Sequence, residues 1–120
     1  MKSVLVVEDE QTLRDAYRFI LQAGGYNVLT AQDGNEAIKI VKRIQPDLVL
    51  LDLLMPKADG LTFLKGVQAT KKQPGMKVIV FSNLSEPDKI QEALRLGAIN
   101  HIIKSDVSPK QILAAVKHYI

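Results

Sequence analysis

Short apolar runs alternate along the chain with longer stretches in which apolar residues recur every three or four positions. The runs Val4–Val7, Leu48–Leu51 and Val78–Phe81 are too short for ordinary helices and rich in aliphatic residues, which is typical of strands buried on both faces. The pattern predicts five strands, at about residues 3–8, 27–31, 47–52, 77–82 and 99–103.

The longer stretches have the period of amphipathic helices; in the first, Leu13, Tyr17 and Leu21 share one face. They predict five helices, at about residues 11–23, 34–45, 60–70, 86–96 and 109–119. Capping boxes are predicted at three helix starts, at Asp33 with Glu36, Ser85 with Asp88, and Ser108 with Gln111. Glycines at 24–25 and 97 predict left-handed helix ends.

Strands that alternate with helices predict an α/β fold, and the near-continuous apolar strands predict a parallel sheet covered on both faces. Right-handed crossovers with one reversal of winding give a doubly wound (βα)5 fold with strand order 2-1-3-4-5. We expect residues 1–120 to form a single domain. Ligands of such sheets bind outside the carboxyl ends of the strands, near the reversal between the first and third.

The composition excludes several classes of protein. An apolar fraction of 47% and a charged fraction of 24% are typical of a globular domain and argue against disorder. No apolar stretch approaches the roughly 20 residues of a membrane span, and the start is too short and too soon acidic for a signal peptide. The absence of cysteine excludes disulfides and thiolate chemistry. We therefore expect a cytoplasmic protein with no membrane partner.

The net charge of +3 and the pI near 9.2 raise the question of nucleic-acid binding. The basic residues are spread over the predicted outer faces of the helices, and aromatic residues are only 5% of the chain. Without a basic stripe or a stacking platform, we predict no direct contact with nucleic acid.

Polar residues end four of the predicted strands. Glu8 and Asp9 follow the first strand, Asp52 follows the third, Ser82 ends the fourth and Lys104 follows the fifth. A carboxylate after a buried run is costly unless the strand delivers it to a polar cavity. Since the carboxyl ends of parallel strands meet at one edge, these groups are predicted to form a site for a divalent cation and a phosphoryl group.

These strand-end residues, with the stretch Asp52-x-x-Met55-Pro56-x-x-Asp59-Gly60, resemble the response-regulator receiver domains of two-component signalling. Each piece alone is a weak signal, whereas all of them in order at matching strand ends are a strong one. The resemblance covers essentially the whole chain and implies a flavodoxin-like fold similar to that of chemotaxis regulators.

The resemblance implies that Asp52 is a phosphoacceptor, taking a phosphoryl group from a histidine kinase, a phosphotransfer protein or a small acyl phosphate. It implies that Lys104 and Ser82 contact the phosphoryl oxygens. Such a domain catalyses its own phosphorylation and dephosphorylation and is not a turnover enzyme. The implied cofactor is Mg²⁺, bound by Asp9, Asp52 and the backbone carbonyl of Leu54, with Glu8 reaching it through water.

The family's switching surface is formed by the fourth helix, the fifth strand and the fifth helix, where receivers meet partners or form homodimers. Ser82 and His101 fall on the switch positions, although His101 stands where Tyr or Phe is usual. Two readings of His101 stay open, a switch residue and a strand-edge histidine without a switching role.

Two further departures concern the loops. Ser105 stands where the family has a proline, often after a cis peptide. A cis bond before a residue other than proline is costly, which favours a trans bond and a differently shaped loop, and the geometry of the Lys104–Ser105 peptide stays open. Leu54 and Leu84 stand where family side chains flank the hydrolytic water, which predicts a long-lived phosphoryl group.

The rival functions are weaker. A haloacid-dehalogenase-like phosphatase carries a second acid two residues after its nucleophile, where this chain has Leu54. A dinucleotide-binding fold needs a Gly-rich loop after the first strand, and Glu8-Asp9-Glu10 stands there instead. A pseudo-receiver usually lacks the acceptor or the acids, and both are present. Whether the chain acts alone or as the receiver of a longer protein stays open.

Overall fold

The centre of the molecule is a parallel sheet of five strands in the order β2-β1-β3-β4-β5. The structure is a computed structural model that describes residues 1–55, 59–67, 75–83 and 87–120. The strands are β1 (Ser3–Val7), β2 (Asn27–Ala31), β3 (Leu48–Leu51), β4 (Lys77–Ser82) and β5 (Asn100–Ile103). All four pairings are parallel, which confirms the predicted topology.

Helices follow the strands in the described part of the chain. They are α1 (Gln11–Ala23), α2 (Gly34–Arg43), α3 (Gly60–Val67), α4 (Pro87–Arg95) and α5 (Pro109–Tyr119), with a 3₁₀ turn over Lys104–Asp106. The predicted end of the third helix after Val67, the first residue of the predicted fourth helix and the capping box at Ser85 lie outside the described residues.

The sheet separates two hydrophobic clusters. On one face, Tyr17 and Leu21 of α1 and Ile112 and Val116 of α5 pack against alternate strand residues. The other face is covered by α2, α3 and α4, with Phe63 fully buried at its centre. Because both faces are covered, β1, β3 and β4 are apolar at nearly every position and do not alternate.

Helix ends are fixed largely as the sequence predicts. The Asp33 side chain accepts a hydrogen bond from the Glu36 N–H at 2.9 Å, and Ser108 forms a reciprocal capping box with Gln111. Gly25 and Gly97 follow helix ends with φ of 95° and 122°, a region that favours glycine. None of the described helices is long and apolar enough to cross a membrane.

The strand register brings the polar strand ends to one edge of the sheet. Val7 pairs with Ala31 and Leu51, so Glu8 and Asp52 leave neighbouring strands at the same level. The Asp52 N–H donates to the Val7 carbonyl at 3.1 Å, which extends the ladder by one bond beyond the strand. The two acidic residues are therefore held by the backbone of the sheet itself.

Candidate functional site

Three carboxylates meet at the carboxyl edge of β1 and β3. One oxygen from each of Glu8, Asp9 and Asp52 lies within 4.8 Å of the others. Glu8 and Asp52 are only 2% and 6% exposed, whereas Asp9 is exposed. The predicted convergence of these acids at the topological reversal is present in the structure. Carboxylate oxygens are ligands that suit a hard divalent cation.

The Asp52 carboxylate has donors on both oxygens. Its Oδ1 accepts from the Ser82 hydroxyl at 2.9 Å and from the Leu54 N–H at 3.0 Å. Its Oδ2 accepts from the Lys104 ammonium at 3.0 Å. Ser82 and Lys104 therefore lie where they can contact whatever is attached to this carboxylate.

Lys104 joins the acidic residues through a buried ammonium group. Its Nζ pairs with Glu8 as well as with Asp52, and its side chain is only 8% exposed. The same ammonium lies 6.0 Å from the centre of the Tyr17 ring, within range of a weak cation–π contact. A cation buried this deeply requires its carboxylate partners, since an unpaired buried charge is strongly destabilising.

The pKa values in the cluster reflect burial and pairing. Burial raises the pKa of Glu8, although the hydrogen bond from Lys104 acts in the opposite direction. For Lys104, burial acts to lower the pKa, but the hydrogen bond to Glu8 and the charge of Asp52 outweigh it and the pKa is raised. Lys104 is therefore charged at neutral pH.

The loop after β5 brings Lys104 to the site without a cis peptide. No cis bond occurs among the described residues, so the Lys104–Ser105 peptide, whose geometry the sequence left open, is trans. The Ser105 N–H donates to the Asn83 side chain at 2.9 Å, which ties this loop to the end of β4. A proline at position 105 has no N–H and forms no such bond.

His101 lies beside the hydroxyl position on the face covered by α3 and α4. It pairs with Val80, and Ser82 follows two residues further along β4, so both side chains point to the same face. The His101 Nε2 is buried and has no hydrogen-bond partner among the described residues. Such an atom invites a functional explanation, since buried polar atoms usually have partners.

Of the two leucines that the sequence placed beside the hydrolytic water, the structure describes only Leu54. The Leu54 side chain is 49% exposed at the rim of the site, and its N–H binds Asp52. Leu84 lies outside the described residues. The sequence had not singled out Asn83 or Arg14, whose guanidinium donates to the Glu8 carbonyl at 2.9 Å. Hydrogen bonds between a side chain and the backbone leave no signature in a single sequence.

Comparison with known proteins decides the family. The model of the response regulator receiver domain matches residues 4–117. The chain belongs to this family. It is a receiver domain of two-component response regulators, and the predicted resemblance is confirmed.

Relatives extend over nearly the whole receiver domain. The probable transcriptional regulator ycf27 of Porphyridium aerugineum is 38% identical over 117 residues, which are 97% of this chain and 47% of that protein. The receiver domain spans about half or less of the length of the curated relatives it matches. The activities of those whole proteins therefore do not carry over to this chain as findings.

Solved structures share the fold throughout. The chemotaxis protein CheY4 of Vibrio cholerae superposes with a TM-score of 0.90 at 28% identity, covering 100% of this chain and 99% of that one. The response regulator TrrA of Thermotoga maritima, solved in complex with Mg²⁺-BeF, superposes with a TM-score of 0.85 at 31% identity and full coverage of both chains.

Proposed function

We propose that Asp52 accepts a phosphoryl group from a phosphohistidine on a histidine kinase or phosphotransfer protein. The observation that supports this most directly is the set of donors on its carboxylate, Ser82 and Lys104, beside two further acids. The domain lies in the cytoplasm in this proposal, where the donor presents its phosphohistidine.

The reaction is an in-line displacement at phosphorus. An oxygen of Asp52 forms a bond to phosphorus while the P–N bond of the donor breaks, and its electron pair leaves with the imidazole nitrogen. The Lys104 ammonium and the Ser82 hydroxyl, now on the carboxylate oxygens, pass to the new phosphoryl oxygens. These preformed donors require little rearrangement when negative charge develops.

The acids fit Mg²⁺ by the chemistry of their oxygen donors. Asp9, Asp52 and the backbone carbonyl of Leu54 would bind it directly, and Glu8 through water. Bound there, the ion offsets the repulsion among the carboxylates and the charge on the phosphoryl oxygens. Glu8 is already paired with Lys104, which supports an indirect role for its carboxylate.

The domain modifies itself and does not turn over small phosphate esters in this proposal. A phosphatase of the aspartate-nucleophile type needs a general acid two residues after the nucleophile, and Leu54 supplies none. Its apolar side chain at the rim of the site supports slow hydrolysis of the aspartyl phosphate. Exchanging Leu84 for Glu should accelerate that hydrolysis, and unchanged hydrolysis would contradict the idea.

Phosphorylation would act on partners through the surface formed by α4, β5 and α5. Drawing the Ser82 hydroxyl to the phosphoryl group changes the space beside His101, which lies on the same face. The surface carries partly exposed apolar side chains that suit a protein partner or a second copy, namely Leu94, Ile99 and Ile103.

Incubation with Mg²⁺ and acetyl phosphate, followed by intact mass measurement, tests the proposal. We expect one phosphoryl group on the wild-type chain and none on Asp52→Asn. Beryllofluoride with Mg²⁺ should shift the amide resonances of α4 and β5 in the wild type alone. An adduct that persists in Asp52→Asn would place the acceptor elsewhere, and steady phosphate release from simple esters would favour the enzyme.

A further inference from the structure

Arg14 binds the backbone of the acidic pair and forms no ion pair with the acidic side chains of the described residues. Its Nη1 donates to the Glu8 carbonyl at 2.9 Å and to the Asp9 carbonyl at 3.3 Å. Arg18, one turn further along α1, instead pairs with Asp15 on its own helix at 3.2 Å. The two arginines of α1 thus have different roles, although they carry the same charge.

The loop that Arg14 holds is also restrained at its two ends, where the Glu8 N–H donates to the Ala31 carbonyl at 3.0 Å and the Glu10 N–H donates to the Glu8 carboxylate at 3.2 Å. Glu10 is the N-cap residue of α1, and its side chain makes no capping hydrogen bond. The first turn of α1 contains no acidic residue that would bind the free N–H groups from within the helix. In the described part of the chain no hydrogen bond holds the Asp9 carboxylate. The direction of that carboxylate therefore depends on its backbone.

We propose that Arg14 is a positioning residue for the divalent cation, and this inference rests on the proposed function. By donating to two successive carbonyls, the guanidinium fixes the peptide planes on either side of the Asp9 Cα. Those planes set the direction of the Asp9 side chain toward Asp52. Arg14 contacts neither the reacting oxygen of Asp52 nor its donors, so it acts only through the acidic pair.

The charge of Arg14 and its positioning contacts predict opposite changes in Mg²⁺ affinity when the side chain is removed. A guanidinium near a cation site repels the cation, so loss of its charge alone would strengthen Mg²⁺ binding slightly. Loss of a positioning contact behind the ligands would weaken binding, as outer-shell changes in metal sites commonly do. The sign of the change therefore separates the two roles.

Arg14→Gln and Arg18→Gln form a matched pair, because both remove one positive charge from the same helix. Calorimetric titration of the full chain with MgCl₂ at fixed ionic strength measures the affinity of each. We expect Arg14→Gln to bind Mg²⁺ roughly 10-fold more weakly than the wild type. Arg18→Gln should bind as the wild type does. Equal affinities in the two variants, or tighter binding by Arg14→Gln, would overturn the proposal.

Lysine variants keep the inference testable if Arg14→Gln folds poorly. An ammonium keeps the charge but lacks the planar fork of donors, so Arg14→Lys should bind Mg²⁺ more weakly than its control Arg18→Lys. The thermal midpoint in EDTA reports a purely structural role, which would lower the midpoint and leave the affinity for Mg²⁺ unchanged; that result would also overturn the proposal.

The phosphorylation rate provides a separate readout. With acetyl phosphate, Arg14→Gln should need more Mg²⁺ to reach half its maximal rate, while its maximal rate approaches that of the wild type. A lower maximal rate with an unchanged Mg²⁺ requirement contradicts a positioning role. If the wild type itself neither binds Mg²⁺ nor forms an adduct, the proposed function is wrong. The positioning role alone is wrong if the wild type does both and the two arginine variants bind Mg²⁺ equally well.

Discussion

Lys104 supplies the positive charge that two buried carboxylates require. Its ammonium pairs with both Glu8 and Asp52 in a region that water barely reaches. Lys104→Met should therefore lower the free energy of unfolding in EDTA by about 3 kcal/mol, because both acids lose their cation. Urea unfolding measures the loss, and saturating Mg²⁺ should restore part of it. A variant as stable as the wild type in EDTA would mean that the acids are neutral or hydrated.

Glu8 gives the site a dependence of stability on pH. Burial raises its pKa in the folded protein above the ordinary value of 4.5, so the folded state binds more protons than the unfolded state in the window above that value. The contribution of Glu8 to stability is therefore lost as the pH rises through this window. In EDTA, the stability of Glu8→Gln relative to wild type should increase from pH 4 to pH 7, and a flat difference would contradict the raised pKa.

A substitution at His101 should change the response of the switching surface and leave the phosphorylation rate unchanged. Among the described residues, the donors to the Asp52 carboxylate do not include His101, so His101→Ala should leave the rate of phosphorylation by acetyl phosphate nearly unchanged. The response of α4, β5 and α5 to beryllofluoride should change, because the side chain beside Ser82 is missing. Amide NMR measures that response, and His101→Phe is the control that keeps a ring. A lost phosphorylation rate in His101→Ala would contradict the assignment.

At the scale of elements, the bond between Asn83 and Ser105 connects the segments that follow β4 and β5, each directly next to a site residue, Ser82 or Lys104. Asn83→Ala should slow phosphorylation severalfold and cost about 1 kcal/mol of stability, since one hydrogen bond is lost. Ser108→Ala removes a helix cap of similar energy whose side chain bonds to Gln111 and not to a site residue, and it should cost about 1 kcal/mol without slowing phosphorylation. Equal rates in both variants would argue against a role for the loop bond.

At the scale of the whole molecule, Mg²⁺ should stabilise the folded chain by mass action. A ligand at 100 times its dissociation constant adds about 2.7 kcal/mol to the free energy of unfolding. The thermal midpoint should therefore rise with MgCl₂ in the wild type and much less in Asp9→Asn, which lacks one proposed ligand. NaCl at equal ionic strength controls for screening of the acids. An equal rise in both chains would show that the ion binds elsewhere.

The architecture was predictable because strands that are buried on both faces are apolar at nearly every position, and this pattern is visible in the sequence. Continuous apolar runs indicate the strands, helical periods indicate the helices, and glycines indicate where helices end. Together they predict the elements and the strand order without any knowledge of contacts. The convergence of Glu8, Asp52, Ser82 and Lys104 follows from the same rule, since parallel strands end at one edge.

The remaining details depend on loop geometry, which residue types alone do not specify. The sequence left the reach of Lys104 open, because Ser105 in place of proline changes the turn; the bond from Ser105 to Asn83 shows how the turn is held. The contacts of Arg14 involve backbone carbonyls, which every residue possesses. The burial of the unpartnered His101 Nε2 depends on the tertiary packing around β5, which the sequence does not specify.

The ion pair between Lys104 and Glu8 joins positions 96 apart in the chain. A nascent or cleaved polypeptide that lacks its last strand has the acids but not their counter-charge. The buried acids therefore gain their counter-charge only once the segment after β5 has folded against the edge of the sheet. Residues synthesised late thus complete a charge cluster whose first members are synthesised early.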